Sequence, residues 1–142
     1  MAGLNTTRTT LKIPTKGPGD LINITDMVSR ALAETGLKKG TVCVFVVGST
    51  AAITTVEYEP GLIKDMHELF EKIAPSNRHY HHDETWGDNN GSSHIRASLF
   101  GPSIVIPFED SKPSLGTWQQ VVLAEFDTRS RSREVILQFT GE

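Results

Sequence analysis

The sequence has little cysteine, no long hydrophobic run and no excess of positive charge, and each shortage excludes a class of protein. The single cysteine, Cys43, cannot form an internal disulfide, so nothing indicates a disulfide-stapled secreted fold. No apolar run approaches the roughly 20 residues that span a bilayer, and the first residues lack a signal pattern. The net charge of -3 offers no basic face to a nucleic acid. We therefore expect a cytoplasmic protein that binds neither nucleic acid nor membrane.

The glycine patterns of nucleotide-binding loops are missing as well, and so are repeats and heptads. The composition is ordinary for a folded unit, with 37% hydrophobic residues in 142, which predicts one domain over residues 1–142. Runs of β-branched or alternating residues predict strands over 7–13, 41–47, 53–58, 103–108, 118–126 and 133–139. Two main helices are predicted, from Thr25 to a stop at Gly36 and from Pro60 to Pro75. This mixed order predicts an α+β fold with a largely antiparallel sheet.

Three details of these elements can be compared directly with a structure. Residues 41–47 are apolar almost without interruption, which is typical of a central strand buried on both faces, with Cys43 as a small core residue. Residues 53–58 either pair with that strand in a hairpin or continue it around a bend. Residues 95–100 fit a helix or a strand. In the second helix, helical spacing predicts that six apolar residues all belong to the core: Leu62, Ile63, Met66, Leu69, Phe70 and Ile73.

The stretch from His79 to His94 holds four of the five histidines, together with several carboxylates and turn residues. It has no apolar period, and a polar loop of this length inside a compact domain is usually functional or disordered. Imidazole and carboxylate groups at this density are typical of a divalent-metal or acid–base site. A solvated loop that happens to be rich in histidine is the simpler alternative. The spacing matches none of the standard zinc patterns, so it leaves the geometry open.

Two further polar groupings interrupt the predicted strands, and all three can face one pocket. Residues 48–51 follow a buried strand and expose backbone N–H groups and two hydroxyls, which suits a modest anion cradle or a plain turn. Residues 115–119 place Trp118 between hydrogen-bonding groups, which suits a planar heterocycle or a core tryptophan that begins a strand.

Arginines near the end of the given sequence supply the positive charge that an anionic ligand needs. Arg129, Arg131 and Arg133 alternate at strand spacing, which predicts one face that binds phosphate or carboxylate. Surface pairing with neighbouring carboxylates such as Asp127 explains them almost as well. Arg96, two residues after His94 in the sequence, is a fourth candidate. Combined with the histidine-rich stretch, these groupings indicate a phosphorylated small molecule rather than a macromolecule.

Three ordered segments carry a resemblance to a known family: GSTAAITTVEYEPG at 48–61, HHDETWGDNNGSSHIRASLFGPS at 81–103 and LGTWQQVVLAEFD at 115–127. With these segments the chain resembles the YjbQ family, also described as secondary thiamine-phosphate synthase proteins, over nearly its whole length. The resemblance implies a compact α+β subunit that assembles as a homotrimer, with pockets near subunit boundaries. It also implies a synthase activity that joins a pyrimidine diphosphate to a thiazole phosphate and expels pyrophosphate.

The resemblance and the residue inventory together define a candidate site. The expected metal ligands are His82, His94 and Asp88, for zinc or magnesium, and the expected catalytic groups are His94, Asp88 and Glu125. Phosphate or ring substituents would be held by Ser49, Thr50, Arg96, Thr117, Trp118 and Gln119. Departure of pyrophosphate needs such charges, because negative charge develops on it. A non-enzymatic metabolite- or metal-binding protein and a metal-dependent hydrolase of a small phosphorylated molecule are the alternatives.

Overall fold

The computed structural model describes residues 3–142, and this range contains eight β-strands and four α-helices. The strands are β1 (Asn5–Pro14), β2 (Leu21–Asn23), β3 (Gly40–Val47), β4 (Ala51–Val56), β5 (Ser103–Glu109), β6 (Lys112–Pro113), β7 (Gln120–Glu125) and β8 (Ser132–Gly141). The helices are α1 (Thr25–Thr35), α2 (Pro60–Ile73), α3 (His81–Trp86) and α4 (Gly91–Phe100). Neighbouring strands pair antiparallel, which confirms the predicted α+β fold with its largely antiparallel strands.

The strands form two sheets rather than one. The larger sheet has the order β1-β8-β3-β5-β6, and the smaller has the order β2-β7-β4. Because β3 belongs to the larger sheet and β4 to the smaller, the chain bends between them at residues 48–50 instead of forming a hairpin. This bend carries the chain from one layer to the next and brings its polar residues to the edge of both sheets.

Two apolar clusters hold the layers together. The main core packs α1 and the inner faces of both sheets around Val28, Val44, Ile53, Leu123 and Leu137. The second core lies between the smaller sheet, α2 and α4, and contains Ala52, Phe70, Ala97, Ala124 and Phe126. The smaller sheet is therefore covered on both faces. Within it, β7 is buried along residues 121–125, so it is the most enclosed strand of the described chain.

The strand buried on both faces is β7, and the prediction of that role for β3 was wrong. Along β3, Val42, Val44 and Val46 are fully buried, but the alternate residues Phe45 and Val47 are exposed. Cys43 shares their face and is half-buried, so it is not the small core residue that the sequence predicted. An apolar run does not show how many layers cover a strand, because a second layer comes from distant parts of the chain.

Helix α2 forms where its spacing predicts, but it buries less than expected. Glu59 precedes it, and its carboxylate accepts hydrogen bonds from the N–H groups of Gly61 (2.7 Å) and Leu62 (2.8 Å), while Pro60 occupies the first turn. Of the six apolar residues predicted as core, only Phe70 is buried. Three of the others are half-buried, and two are more than 40% exposed: Leu69 and Ile73.

The histidine-rich stretch is not one long loop. It forms the short helix α3 and then the first turn of α4, and residues 95–100, which the sequence left open between helix and strand, complete α4. The turn between the helices depends on left-handed backbone at Gly87 (φ 69°) and Asn89 (φ 55°). This tight reversal explains the Gly-Asp-Asn-Asn-Gly composition of the segment.

Candidate functional site

Three segments converge at one end of the smaller sheet. The bend between β3 and β4 meets the end of β7 because Ala51 pairs with Glu125 in antiparallel register. Just beyond that pair, the Phe126 N–H donates to the Thr50 carbonyl at 3.0 Å, and the Thr50 hydroxyl donates to the Asp127 carboxylate at 3.1 Å. Helices α3 and α4 close the third side with their histidines.

These segments border an open cleft of about 200 Å³, which we call the histidine cleft. It is lined by Gly48, Ser49, Ala51, His94, Ala97, Ser98 and Pro102. Two of the predicted site residues, Ser49 and His94, thus face the same space. The size suits a small ligand or one end of a larger one.

The imidazoles of His82 and His94 lie against each other, with ring centroids 4.4 Å apart. On the other side of His82, its Nδ1 is 3.7 Å from a carboxylate oxygen of Asp88. The three predicted metal ligands are therefore neighbours. Ligand atoms of His82, Asp83 and Asp88 also lie within 4.8 Å of one another; this set includes a carboxylate that the sequence did not predict, Asp83, and does not include His94.

Asp83 fixes the turn that presents these groups. Its carboxylate accepts hydrogen bonds from the Tyr80 N–H at 3.0 Å and from the Gly91 N–H at 3.2 Å, so it ties the start of α3 to the start of α4. Gly91 is required there, because a Cβ atom at this position would lie 2.5 Å from the Cβ of Tyr80. The two helices can approach closely only with glycine at the contact.

Two buried polar atoms beside the histidine pair have no hydrogen-bond partner among the described residues: His82 Nδ1 and Asn90 Oδ1. Such atoms are uncommon in native proteins, because an unsatisfied buried group costs free energy. Both atoms carry lone pairs that can bind a cation, with His82 in the tautomer that leaves Nδ1 bare. Of the two, His82 Nδ1 lies 3.7 Å from a carboxylate oxygen of Asp88, so these two atoms are placed to share a cation.

The charge states of the site follow from its burial. Burial lowers the pKa of His94, the nearby His82 lowers it further, and the more distant carboxylates of Asp127 and Asp88 offset only part of this. His94 is therefore neutral at neutral pH. For Asp127, burial acts to raise the pKa, but hydrogen bonds from the Thr128 N–H and other donors outweigh it, so the pKa is lowered and the carboxylate is charged.

A buried ion pair lies directly behind the cleft. Arg133 donates from Nε to Glu125 at 2.9 Å and from Nη2 to the second oxygen of the same carboxylate. Nη2 also donates to the Thr50 hydroxyl at 2.7 Å, and the Thr15 hydroxyl donates to Glu125 at 2.7 Å. These bonds satisfy both charges inside the protein, as a buried pair requires. Glu125 is fully buried, so it supports the cleft rather than lining it.

Arg96, the predicted phosphate ligand, points away from the histidine cleft. It is almost fully buried on the other side of α4, where it donates to the Ala74 carbonyl at 2.8 Å and 3.1 Å and to Glu71 at 2.9 Å. These bonds join α4 to α2. A role for Arg96 in binding phosphate stays a prediction, and within this chain its guanidinium serves the packing of the two helices.

Within one chain, Thr117, Trp118 and Gln119 do not share the cleft with the histidines. Trp118 precedes β7 and Glu125 ends it, so the strand separates them by roughly 20 Å at about 3.4 Å per residue. Trp118 is 72% exposed and lines a different cavity, of about 330 Å³. It is not the core tryptophan that the alternative reading proposed, and it remains available to bind a ring or another subunit.

The sequence reasoning gave too little weight to two residues of the site. Asp127 was considered only as a surface partner for arginines, yet it is buried and bonds to Thr50 and to Arg131, the latter at 2.8 Å. Asn90 was considered only as a turn residue. A usable signal was present, because Glu125 and Asp127 sit two residues apart at the end of an apolar strand, followed by arginines at the same spacing. In this structure the two carboxylates pair with two of those arginines, Asp127 with Arg131 and Glu125 with Arg133.

Comparison with known proteins places this arrangement in a family. The model of the family described as "UPF0047 protein YjbQ-like" matches residues 9–142. The chain belongs to this family. A UPF0047 protein of Archaeoglobus fulgidus is 39% identical over 119 residues, which cover 84% of this chain and 90% of that protein. The UPF0047 protein YjbQ of Escherichia coli O157:H7 is 31% identical over 84% of this chain and 87% of its own length.

A solved structure also supports the fold of this UPF0047 chain. A crystal structure of a YbjQ-like protein of unknown function from Sulfolobus solfataricus has a TM-score of 0.92 at 28% identity, and covers 99% of this chain and 100% of that one. Both sheets and all four helices described above are therefore part of a shared architecture. Within residues 3–142, no helix is both long and apolar enough to cross a membrane.

Proposed function

We propose that this YjbQ-like protein is a metal-assisted enzyme that acts on a small phosphorylated molecule. The observation that carries the proposal is the buried, unpartnered Nδ1 of His82, which lies 3.7 Å from Asp88 and next to the ring of His94. The thiamine-phosphate synthase reaction, in which pyrimidine diphosphate and thiazole phosphate are joined and pyrophosphate leaves, is the specific form that the family resemblance favours.

The donor set fits a divalent cation. Two ligands of a tetrahedral zinc ion, each about 2.1 Å from the metal, lie about 3.4 Å apart, which is close to the separation of His82 Nδ1 and the Asp88 oxygen. We propose His82, His94 and Asp88 as the ligands. Two imidazoles with one carboxylate favour zinc over magnesium, which prefers oxygen ligands. When bound, a cation here would neutralise charge on a phosphate or pyrophosphate group.

The protein groups around this position have distinct roles in the proposal. Asp127, held charged by Thr50, Thr128 and Arg131, keeps the site electrostatically suited to a cation. The imidazole of His94 faces the cleft and is neutral, so its lone pair is available to the cation. Glu125 acts as a positioning residue, because it is fully buried and holds Arg133, which donates to Thr50 and so supports Asp127.

A pyrimidine ring requires a flat apolar surface, and Trp118 supplies one only at the far end of β7. A homotrimer, the proposed assembly, would allow the Trp118 of one subunit to approach the cleft of another. Its side chain is 72% exposed, which leaves the ring free for such a contact. The ring-binding roles of Thr117 and Gln119 depend on the same assembly, since Gln119 bonds to Thr55 at 3.2 Å within its own chain.

Hydrolysis of a phosphate ester is a second candidate, and the lowered pKa of His94 favours it. In this alternative His94 is the base instead of a metal ligand, because its neutral, half-buried imidazole at the cleft wall can take a proton from attacking water. The synthase reaction needs less help of this kind, because the thiazole nitrogen is already nucleophilic. Non-enzymatic storage or sensing of a metabolite would use the same binding groups without the proton transfer.

The first experiment measures the metal. Zinc titration of tag-free protein should show near-stoichiometric binding, and His82→Ala and His94→Ala should each weaken it roughly ten-fold or more, because each removes a ligand. His81→Ala is the matched control, since this exposed neighbour on α3 lies outside the proposed set. Unchanged zinc affinity in the first two variants would remove both residues from the site.

The second measurement uses the same variants and follows products. Formation of a carbon–nitrogen bond with release of pyrophosphate supports the synthase, release of phosphate from a monoester supports the hydrolase, and binding without turnover supports the storage protein. Turnover that survives His94→Ala at the wild-type rate contradicts the proposed role of this cleft in either reaction.

A further inference from the structure

Arg133 uses only part of its hydrogen-bonding capacity inside the protein. Its Nε and Nη2 atoms donate to Glu125 and Thr50, but Nη1 donates to no group among the described residues. The side chain is only 3% exposed. Nη1 is not one of the buried polar atoms that lack a partner, so it is the part of this guanidinium that keeps contact with solvent.

Gly48 lies directly in front of this nitrogen. A Cβ atom at Gly48 would be 2.8 Å from Nη1 of Arg133, closer than real Cβ atoms come to a neighbour. Apart from Arg133 and the chain neighbours of Gly48, no described atom lies within 4 Å of that Cβ position, so the gap left by the missing side chain, at a residue that lines the histidine cleft, is open on the Nη1 side of the guanidinium. The backbone of Gly48, at φ 141°, is also in a region that favours glycine over any other residue.

The ion pair is oriented with its positive end toward this gap. Glu125 contacts the Nε and Nη2 side of the guanidinium, so Nη1 is the part farthest from the balancing negative charge. Ser49, next to the gap, contributes a hydroxyl to the cleft wall. A hydroxyl beside a charged N–H donor is the kind of surface that binds a tetrahedral oxyanion.

We propose that the gap at Gly48 is an anion subsite, in which Nη1 of Arg133 donates a hydrogen bond to a phosphate oxygen of the substrate. The assignment of this anion to the substrate rests on the proposed function, whereas the subsite itself does not. Residue 48 then determines specificity, because any side chain there would cover the nitrogen. Arg133, rather than Arg96, is then the arginine that meets the phosphate, from beside Gly48 at the cleft wall.

The test is calorimetric titration of the full-length protein with inorganic phosphate, in the absence of added metal. Wild-type protein should bind phosphate, and Gly48→Ala should weaken binding roughly ten-fold to a hundred-fold, the value of a hydrogen bond to a charged group. Arg133→Lys should cause a similar loss, since a single ammonium group can pair with Glu125 but cannot also fill the place of Nη1.

Two control variants separate this effect from others. Gly36→Ala introduces the same kind of backbone strain at φ 75°, at a position with no neighbour within 4 Å, and should leave phosphate affinity unchanged. Arg129→Lys makes the same exchange as Arg133→Lys at an exposed position and should also leave it unchanged. If Gly48→Ala does not fold, Arg133→Lys decides the question.

The outcome also separates the subsite from the metal site. Phosphate affinity within two-fold of wild type in Arg133→Lys, or no phosphate binding by wild-type protein, overturns the subsite even if zinc binds at His82 and Asp88. Loss of phosphate binding in Arg133→Lys with no zinc binding in wild-type protein would instead leave the subsite standing and contradict the metal proposal. Acetate, tested in parallel, should bind more weakly than phosphate, because it carries less charge and fewer oxygens.

Discussion

At the scale of single residues, the histidine cleft depends on one imidazole that stays neutral and one carboxylate that stays charged. His94 lies against His82, and two positive charges at a centroid distance of 4.4 Å would repel each other strongly. Burial adds to this effect and lowers the pKa of His94. Asp127 remains charged because its hydrogen bonds outweigh the effect of burial. The arrangement therefore keeps a lone pair available on His94 near neutral pH.

This pair of pKa shifts predicts how the free energy of unfolding changes with pH. Because the pKa of His94 is lower in the folded protein than its usual 6.5, the unfolded chain binds the proton more readily. The stability contributed by His94 is present above about 6.5 and is lost as the pH falls toward its folded pKa. Asp127 does not titrate in this window, since its pKa lies below 3.8 in the folded protein.

Urea unfolding of wild-type protein and of His94→Gln across this range tests the prediction. The wild-type free energy of unfolding should fall more steeply on acidification than that of the variant. Ser98→Ala, which changes the same cleft wall without removing a titratable group, should retain the wild-type slope. Parallel curves for wild type and His94→Gln would show that His94 carries no such linkage.

At the scale of elements, the sequence was a good guide to where helices and strands lie and a poor guide to what covers them. The spacing of apolar residues predicted α2 and most strands, because the apolar period of a helix or strand can be read from residues close together in the sequence. It did not predict that β7 rather than β3 would be enclosed on both faces, since the covering layers come from α2, α4 and the larger sheet. The same limit applied to α2. Its helix was predicted correctly from the spacing of six apolar residues, but only Phe70 among them is buried.

The candidate site shows this limit again. From composition alone the histidine-rich stretch was predicted to be a metal or acid–base site; the structure brings His82 close to His94 and to Asp88, and metal binding there stays a prediction. The direction of Arg96 was not predictable, because two residues on one helix turn, Arg96 and His94, face opposite sides of α4. The distance between Trp118 and the histidines was also hidden, since it depends on the length and direction of β7.

The contact between α3 and α4 allows a test at the scale of elements. Gly91→Ala would place a Cβ atom 2.5 Å from the Cβ of Tyr80, so the helices must separate. We expect a loss of roughly 1–3 kcal/mol in the free energy of unfolding, as for other overpacked contacts, together with weaker zinc binding because His82 and His94 move apart.

Gly87→Ala is the matched control for this variant. Gly87 has φ 69° in the same turn, but a Cβ atom there meets nothing within 4 Å. It should show the cost of backbone strain without separating the helices, so its zinc affinity should change less than that of Gly91→Ala. Chemical denaturation and zinc titration measure both quantities. Equal zinc affinities in the two variants would show that the helix contact does not position the histidines.

At the scale of the whole molecule, several large apolar side chains lie exposed on the surface of the single chain. Large apolar side chains are exposed on the outer face of the larger sheet, on α2 and on α4, and they include Phe45, Val47, Leu69, Leu99 and Val105. A monomeric protein rarely leaves such patches in water. The proposed homotrimer would cover them and would bring Trp118 of one subunit toward a neighbouring cleft.

Light scattering at micromolar concentration should therefore give a mass three times the 15.6 kDa of one chain. Val105→Lys should lower this mass, because it puts a charge on a side chain that is 65% exposed in one subunit and apolar in character. Lys112→Ala, at an exposed position on the edge strand β6, should leave the mass unchanged. A monomer mass for wild-type protein would contradict the trimer and the proposed route of Trp118 to the cleft.

The buried pair of Glu125 and Arg133 limits which substitutions can survive in evolution. If either charge were lost by a single mutation, the other would remain inside the protein without its partner, at a cost of roughly 3–5 kcal/mol. That is a large share of the stability of a small domain. Substitutions that accumulate during evolution can therefore replace both residues together or neither. Residue 48 is restricted along with them, because a side chain there would collide with the same guanidinium.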